Sequence, residues 1–188
     1  MPGTELSVSQ LDDLGVGNSV DGRVIESAAM GWTGTIQALF ACLITLQFGV
    51  VVSHDWIDIP GWTNGTQVQL VVGRRKLWVA TLANAIFPGI AVAFAVNFWN
   101  RPKPGFVTSY WVIYCAVTLV SAIFMWYVPY FLGTTEKTRR DYSRMYAGTR
   151  QVLRPRKDNP RPNLLHLCFH VLFVVNFCLA LLVRFRMA

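Results

Sequence analysis

Four long stretches of the sequence, residues 27–53, 77–100, 104–135 and 162–183, contain no Asp, Glu, Lys or Arg and together hold 105 of the 188 residues. A helix needs about 20 apolar residues to cross about 30 Å of hydrocarbon, so each stretch is long enough for one span. The predicted spans are 33–53, 77–99, 108–132 and 164–185. Trp32 and Trp56 bracket the first, Arg74-Arg75-Lys76 and Arg101 bound the second, and Arg184 and Arg186 close the fourth. All seven Trp residues fall near a predicted span end or in a connecting loop, where an amphipathic ring prefers to sit. The apolar runs are continuous rather than alternating over strands of about ten residues, so helices rather than a β-barrel are expected to satisfy the backbone in lipid. The expected fold class is all-α, an integral membrane bundle of four transmembrane helices over residues 31–188, preceded by an acidic tail over 1–30.

Composition agrees with this pattern and charge adds an orientation. Hydrophobic residues make up 53% of the chain and charged residues 14%, with a mean hydropathy of +0.38. These values exclude an ordinary soluble domain and a disordered chain. The first 26 residues carry five acids against a single Arg23, the reverse of a secretory signal. Of the 17 basic residues, twelve fall in the loops 54–76 and 133–163 and five on the other side. The positive-inside rule then places those two loops in the cytoplasm and both termini outside. Asn64-Gly65-Thr66 matches a glycosylation acceptor but reads as a turn in such a loop.

Within the spans, small and polar residues form rows. In span two Thr81, Ala85, Gly89, Ala93 and Asn97 recur every four residues, the small-xxx-small pattern that lets helices approach closely. Pro88 lacks an N–H, so the carbonyl of Asn84 loses its helical donor. Span three carries a second row, Tyr110, Tyr114, Thr118 and Ser121. Helix–helix contact is the expected use of both rows, since no charged residue lies inside a span; a solute or ion path between spans two and three is the alternative.

The candidate chemistry gathers on one face. His54 ends span one while His166 and His170 open span four, so topology alone brings all three histidines to the same side. His166 and His170 are four apart and share a helical face, a spacing that suits two ligands of one metal ion. A metal completed by His54, Asp55 or Asp58, or a haem with His54 as the opposed ligand, is one expectation. Neutral imidazoles hydrogen-bonded at the headgroup level are the other. Between spans three and four, Thr134 or Thr135 caps a predicted helix to about Ala147, an amphipathic segment whose Tyr142, Met145 and Tyr146 share one face. The Pro-rich run Arg154–Pro162 is expected to be an extended, solvated arm. This loop carries a net charge of +6, and Arg139, Arg140, Arg144, Arg154, Arg156 and Lys157 are the expected contacts to anionic lipid or to a protein partner. The stacking aromatics of a single-strand binder are thin there, so nucleic acid is not expected. The loop 54–76, with Pro60-Gly61-Trp62 and Asn64-Gly65, is expected to form a hairpin or flap that caps the histidines together with the basic loop.

No phosphate-binding glycine loop, nucleophile elbow or paired carboxylate occurs, and no catalytic residue is expected. Cys42, Cys115, Cys168 and Cys178 lie in the spans without a C-x-x-C pair and read as small packing residues. The run Tyr130-Phe131-Leu132-Gly133, with Glu136-Lys137, Asp158-Asn159-Pro160 and Pro162-Asn163-Leu164-Leu165-His166, resembles a group of small four-helix bacterial membrane proteins. The resemblance covers mainly residues 126–170 and implies a bacterial inner membrane, with no reaction and no site attached. The function expected is that of an accessory, binding or assembly protein, alone or as a homo-oligomer. A small metal or redox enzyme at the histidines and a small transporter are the alternatives.

Overall fold

The computed structural model describes the backbone of residues 18–99 and 101–186 and the side chains of 34–99 and 101–185. Helix α1 runs Asn18–Ser53 and is followed by a two-stranded antiparallel hairpin, β1 (Asp58–Ile59) and β2 (Thr63–Asn64). Then come α2 (Gly65–Val72), α3 (Arg74–Asn97) and α4 (Gly105–Ala122). A π-helical turn (Ile123–Tyr127) continues α4 into α5 (Val128–Leu132), and α6 (Glu136–Met145) and α7 (Leu164–Arg186) complete the chain. Four helical segments, Gly34–Ser53, Arg74–Asn97, Gly105–Leu132 and Leu164–Phe185, are long and apolar enough to cross a membrane. Of the tail predicted over 1–30, residues 1–17 lie outside the described residues, and α1 extends through the rest back to Asn18.

The four long helices pack in the order α3, α1, α7, α4. Phe40, Ile44, Ala91, Val107, Trp111 and Ala180 are fully buried where they meet. Trp111 therefore departs from the interfacial role expected of it: its ring packs 5.0 Å from Phe40, and its Nε1 donates to the carbonyl of Ala91 at 3.1 Å. Cys115 is buried as expected, whereas Cys42, Cys168 and Cys178 face outward.

Two amides lie wholly inside this apolar core. Asn176 Nδ2 donates to Gln47 Oε1 at 2.6 Å, and Gln47 Nε2 donates to the Tyr114 hydroxyl at 2.6 Å. Both amides are at most 1% exposed, so α7, α1 and α4 are tied through one polar chain. Burying a polar group without a partner costs several kcal/mol in an apolar medium, which makes this chain a constraint on how the three helices register.

The small-residue row of α3 is only half used. Thr81 is buried and Ala85 and Gly89 are half-buried, but Ala93 and Asn97 are exposed. The packed row is Leu77, Thr81, Pro88, Ala91 and Ala95. The reason is geometric: four residues advance a helix by about 400°, so a strict i, i+4 row winds about 40° per step. Between Thr81 and Asn97 it turns away from the neighbouring helix.

Gln47→Ala leaves the Tyr114 hydroxyl and Asn176 without their partner, and is expected to lower stability in detergent by about 1–2 kcal/mol. In a double-mutant cycle with Asn176→Ala, measured by denaturant unfolding, the two changes are expected to be non-additive by about 0.6 kcal/mol.

Candidate functional site

The connecting segments fold into one cap over the end of the helices where α1 stops and α7 begins. Where α2 leaves the hairpin, Gly65 is required, because a Cβ there would lie 2.7 Å from the Trp56 carbonyl carbon. Asn64 caps α2 through Gln67 N–H and reaches across to donate to the Ala147 carbonyl at 2.7 Å. The Asp58 carboxyl, which accepts from the amide and hydroxyl of Thr66, is held below its usual pKa range by those donors. Thr81 does not serve helix contact alone, since its hydroxyl accepts from Trp56 Nε1 at 3.0 Å and so pins the hairpin to α3.

The basic loop closes on the hairpin. Arg150 N–H donates to the Gly61 carbonyl and Leu164 N–H to the Arg150 carbonyl, both at 2.7 Å. Asn163 sits at the junction, 1% exposed. Its Nδ2 donates to the Trp62 carbonyl, and its Oδ1 accepts from both the backbone N–H and the Nδ1 of His166. This side chain therefore caps α7, fixes the His166 ring and joins the two loops. The expected solvated arm is solvated only over residues 154–158. Pro160, Pro162 and Asn163 are buried, and proline, having no N–H, leaves no donor to satisfy there.

Under the cap the three histidines come together. The rings of His54 and His166 lie 5.6 Å apart and those of His166 and His170 6.5 Å apart. Each Nδ1 is engaged: His54 with the Val50 carbonyl at 2.9 Å, His166 with Asn163 at 2.7 Å, and His170 with the Tyr127 hydroxyl at 3.1 Å. His54 Nε2 lies 3.3 Å from the Asp55 carboxylate. Both its nitrogens thus face acceptors. Among the described residues no group of three or more His, Cys, Asp or Glu side chains is arranged to hold a metal ion. The rings meet edge to face, and their Nδ1 atoms already have partners. The three rings thus form a packed imidazole cluster oriented through their Nδ1 atoms.

Trp126 organises this cluster. Its ring lies 4.1 Å from His166, 5.2 Å from Tyr142 and 5.4 Å from Tyr146. Helix α6, capped by Thr135 accepting from Thr138 N–H, thereby turns Tyr142 and Tyr146 onto Trp126 rather than onto a membrane surface. The π-helical turn sets the orientation of Trp126 and Tyr127: Val128 N–H bonds the Ile123 carbonyl, one residue further back than in an α-helix. Pro129 follows, and its ring would crowd the Met125 carbonyl in a regular α-helix.

From this cluster a groove of about 820 Å³ runs between α3 and α4. Asn84, Phe87 and Pro88 line one wall, and Ile113, Val117 and Ser121 the other. The row Tyr110, Tyr114, Thr118 and Ser121 therefore faces the groove, although Tyr114 also holds Gln47 and Thr118 returns its hydroxyl to the Tyr114 carbonyl. Toward the far end Tyr110 bonds the Phe87 carbonyl and Trp111 the Ala91 carbonyl, and a cavity beside Trp111 there measures about 10 Å³. His166, His170, Asp55 and Tyr146 close the capped end.

Of the six basic residues expected to act together, the structure brings Arg139, Arg156 and Lys157 around one hollow. Arg140 pairs instead with Glu136, and Arg144 and Arg154 stand apart. Compared with protein-family models, curated proteins and solved structures, the chain matches none.

Asn163→Ala removes three hydrogen bonds at once and is expected to cost about 2–3 kcal/mol. The loss is expected to appear as a lowered melting temperature together with faster exchange of the first amides of α7. The Tyr146 phenol is pushed well above its ordinary pKa by burial, with Asp55 and Tyr142 adding to the shift. Its contribution is complete below about pH 10 and is lost as pH rises toward the folded value, because only the unfolded chain then releases the proton. A melting temperature that falls above about pH 10, and falls less steeply in Tyr146→Phe, is the expected result.

Proposed function

We propose that the protein spans a bacterial inner membrane four times, with the loops 54–76 and 133–163 in the cytoplasm and both termini outside, and that it binds an amphipathic, lipid-like molecule. An alkyl or isoprenoid chain lies in the groove between α3 and α4, with its polar head among Asp55, His166, His170 and Tyr146. The groove carries this reading: its walls are apolar and exposed at Phe87, Ile113 and Val117, while its capped end is polar. A chain enters such a groove sideways without leaving hydrocarbon, and its head meets hydrogen-bonding groups where the apolar walls end. The protein acts as a binding or accessory component, with its basic loop at the anionic leaflet, where each basic residue gains about 1 kcal/mol. A conducting path is the weaker reading, because Trp111 and its hydrogen bond fill the helices at the end opposite the cap.

Ser121→Trp fills the groove and leaves the Gln47 chain and the cap intact. Mass spectrometry of protein purified in mild detergent is expected to find one amphiphile enriched over the bulk lipid extract. Ser121→Trp is expected to lower its occupancy by at least about tenfold, and Ser121→Ala to leave it unchanged. Equal occupancy in all three proteins would overturn the proposal.

A further inference from the structure

A second hollow, of about 270 Å³, lies outside the groove at the end of α5, and Arg139, Arg156 and Lys157 line it. Three features set it apart from a solvated run of charge. First, the cations come from two separated segments, α6 and the arm. The arm is held in place by Tyr130, whose hydroxyl donates to the Arg154 carbonyl and whose own carbonyl accepts from Asn159 Nδ2, both at 3.0 Å. Second, none of the three pairs with an acid among the described residues, and no acid lines the hollow. Asp141 and Glu136, the acids nearest in sequence to Arg139, are bound to Lys137 and Arg140. Unpaired cations held in one place repel one another unless an anion joins them. Third, Lys157 has φ +52°, making it the one non-glycine residue in the left-handed region among the described residues. A lysine there bears strain that glycine or asparagine would avoid, and the turn it makes keeps its side chain at the hollow.

The apolar flank identifies the ligand further. Phe131 and Leu132, 50% and 82% exposed, adjoin the three cations, and the Arg156 guanidinium lies 5.5 Å over the Phe131 ring. Stacking leaves the guanidinium edge free to hydrogen-bond. We propose that Arg139, Arg156 and Lys157 form a site for a phosphate group, that of a phospholipid whose chains lie against Phe131 and Leu132. The inference rests on the reading of the four apolar helices as membrane spans and is independent of what occupies the groove.

The test uses the full chain in detergent with three probes: short-chain phosphatidate, the matching diacylglycerol, and inorganic phosphate. Phosphatidate is expected to bind and diacylglycerol not to bind. The combined change Arg139→Gln, Arg156→Gln and Lys157→Gly is expected to weaken phosphatidate binding by at least about tenfold, while removal of the left-handed lysine keeps the melting temperature from falling. Arg144→Gln, Arg150→Gln and Arg154→Gln remove the same charge outside the hollow and are expected to change affinity by no more than about twofold. Inorganic phosphate binding through the same three residues as tightly as phosphatidate upholds the phosphate site and assigns it a soluble source. Equal weakening by the two triple variants, or binding of neither phosphate-bearing probe, overturns the proposal. Loss at Ser121→Trp leaves this outcome unaffected, so the two readings fail separately.

Discussion

The hydrogen-bonded chain from Asn176 through Gln47 to Tyr114 governs the rest of the architecture. It ties α7, α1 and α4 together where each is otherwise apolar. For helices long and apolar enough to cross a membrane, hydrocarbon offers little hydrophobic preference for one helix over another, so a polar contact of this kind favours particular partners. Helix α3 has no part in it. Its hydrogen bonds to neighbouring side chains run to Trp56 through Thr81 in its first half and to Tyr110 and Trp111 through the Phe87 and Ala91 carbonyls in its second. Between those points nothing draws α3 against α4, and the groove occupies the space.

The cap follows from the complementary demand, that backbone groups of irregular segments find partners. Helix α7 begins with unsatisfied N–H groups beside aromatic rings, where water is sparse. Asn163 meets that need and holds His166 with the same oxygen. The neighbouring loops donate across one another, Arg150 to Gly61 and Asn64 to Ala147. The imidazoles are accordingly oriented by their surroundings, His54 by the Val50 carbonyl, His166 by Asn163 and His170 by the Tyr127 hydroxyl.

The hydropathy pattern was sufficient to locate the four long helices, because length and absence of charge act through the cost of putting charge into hydrocarbon and need no tertiary knowledge. The meeting of the three histidines was legible for a similar reason: span ends alternate sides, so connectivity alone carries them to one end. Gln47 and Asn176 were missed because attention to charge passes over neutral amides, although single amides within apolar runs are a readable signal of interhelical bonding. The small-residue row of α3 was traced with a period of four where the helix turns with 3.6, so its later members were assigned to the wrong face. Trp126 and Tyr127 depend on a π-helical turn. Pro129 marks that place in the sequence, but the choice between a kink and an extra backbone residue depends on packing against α7.

Charge shows the same division between pattern and geometry. Nine basic residues in one loop give a net value from which a surface preference follows, and that preference requires no fixed positions. A site requires more, namely cations from different segments brought to one place and left without acids. Arg140 fails this condition because Glu136 lies one helical turn away, and Lys137 fails it through Asp141. Arg139 lies between them on the same helix, but Glu136, three residues before it, is taken by Arg140, and the arm brings Arg156 and Lys157 to Arg139. The i,i+4 pairs on α6 thus neutralise Lys137 and Arg140 and leave Arg139, which faces the arm, and the exposed Arg144 without a carboxylate partner. A basic loop with evenly distributed acids would keep its attraction to an anionic surface and lose this local concentration of charge.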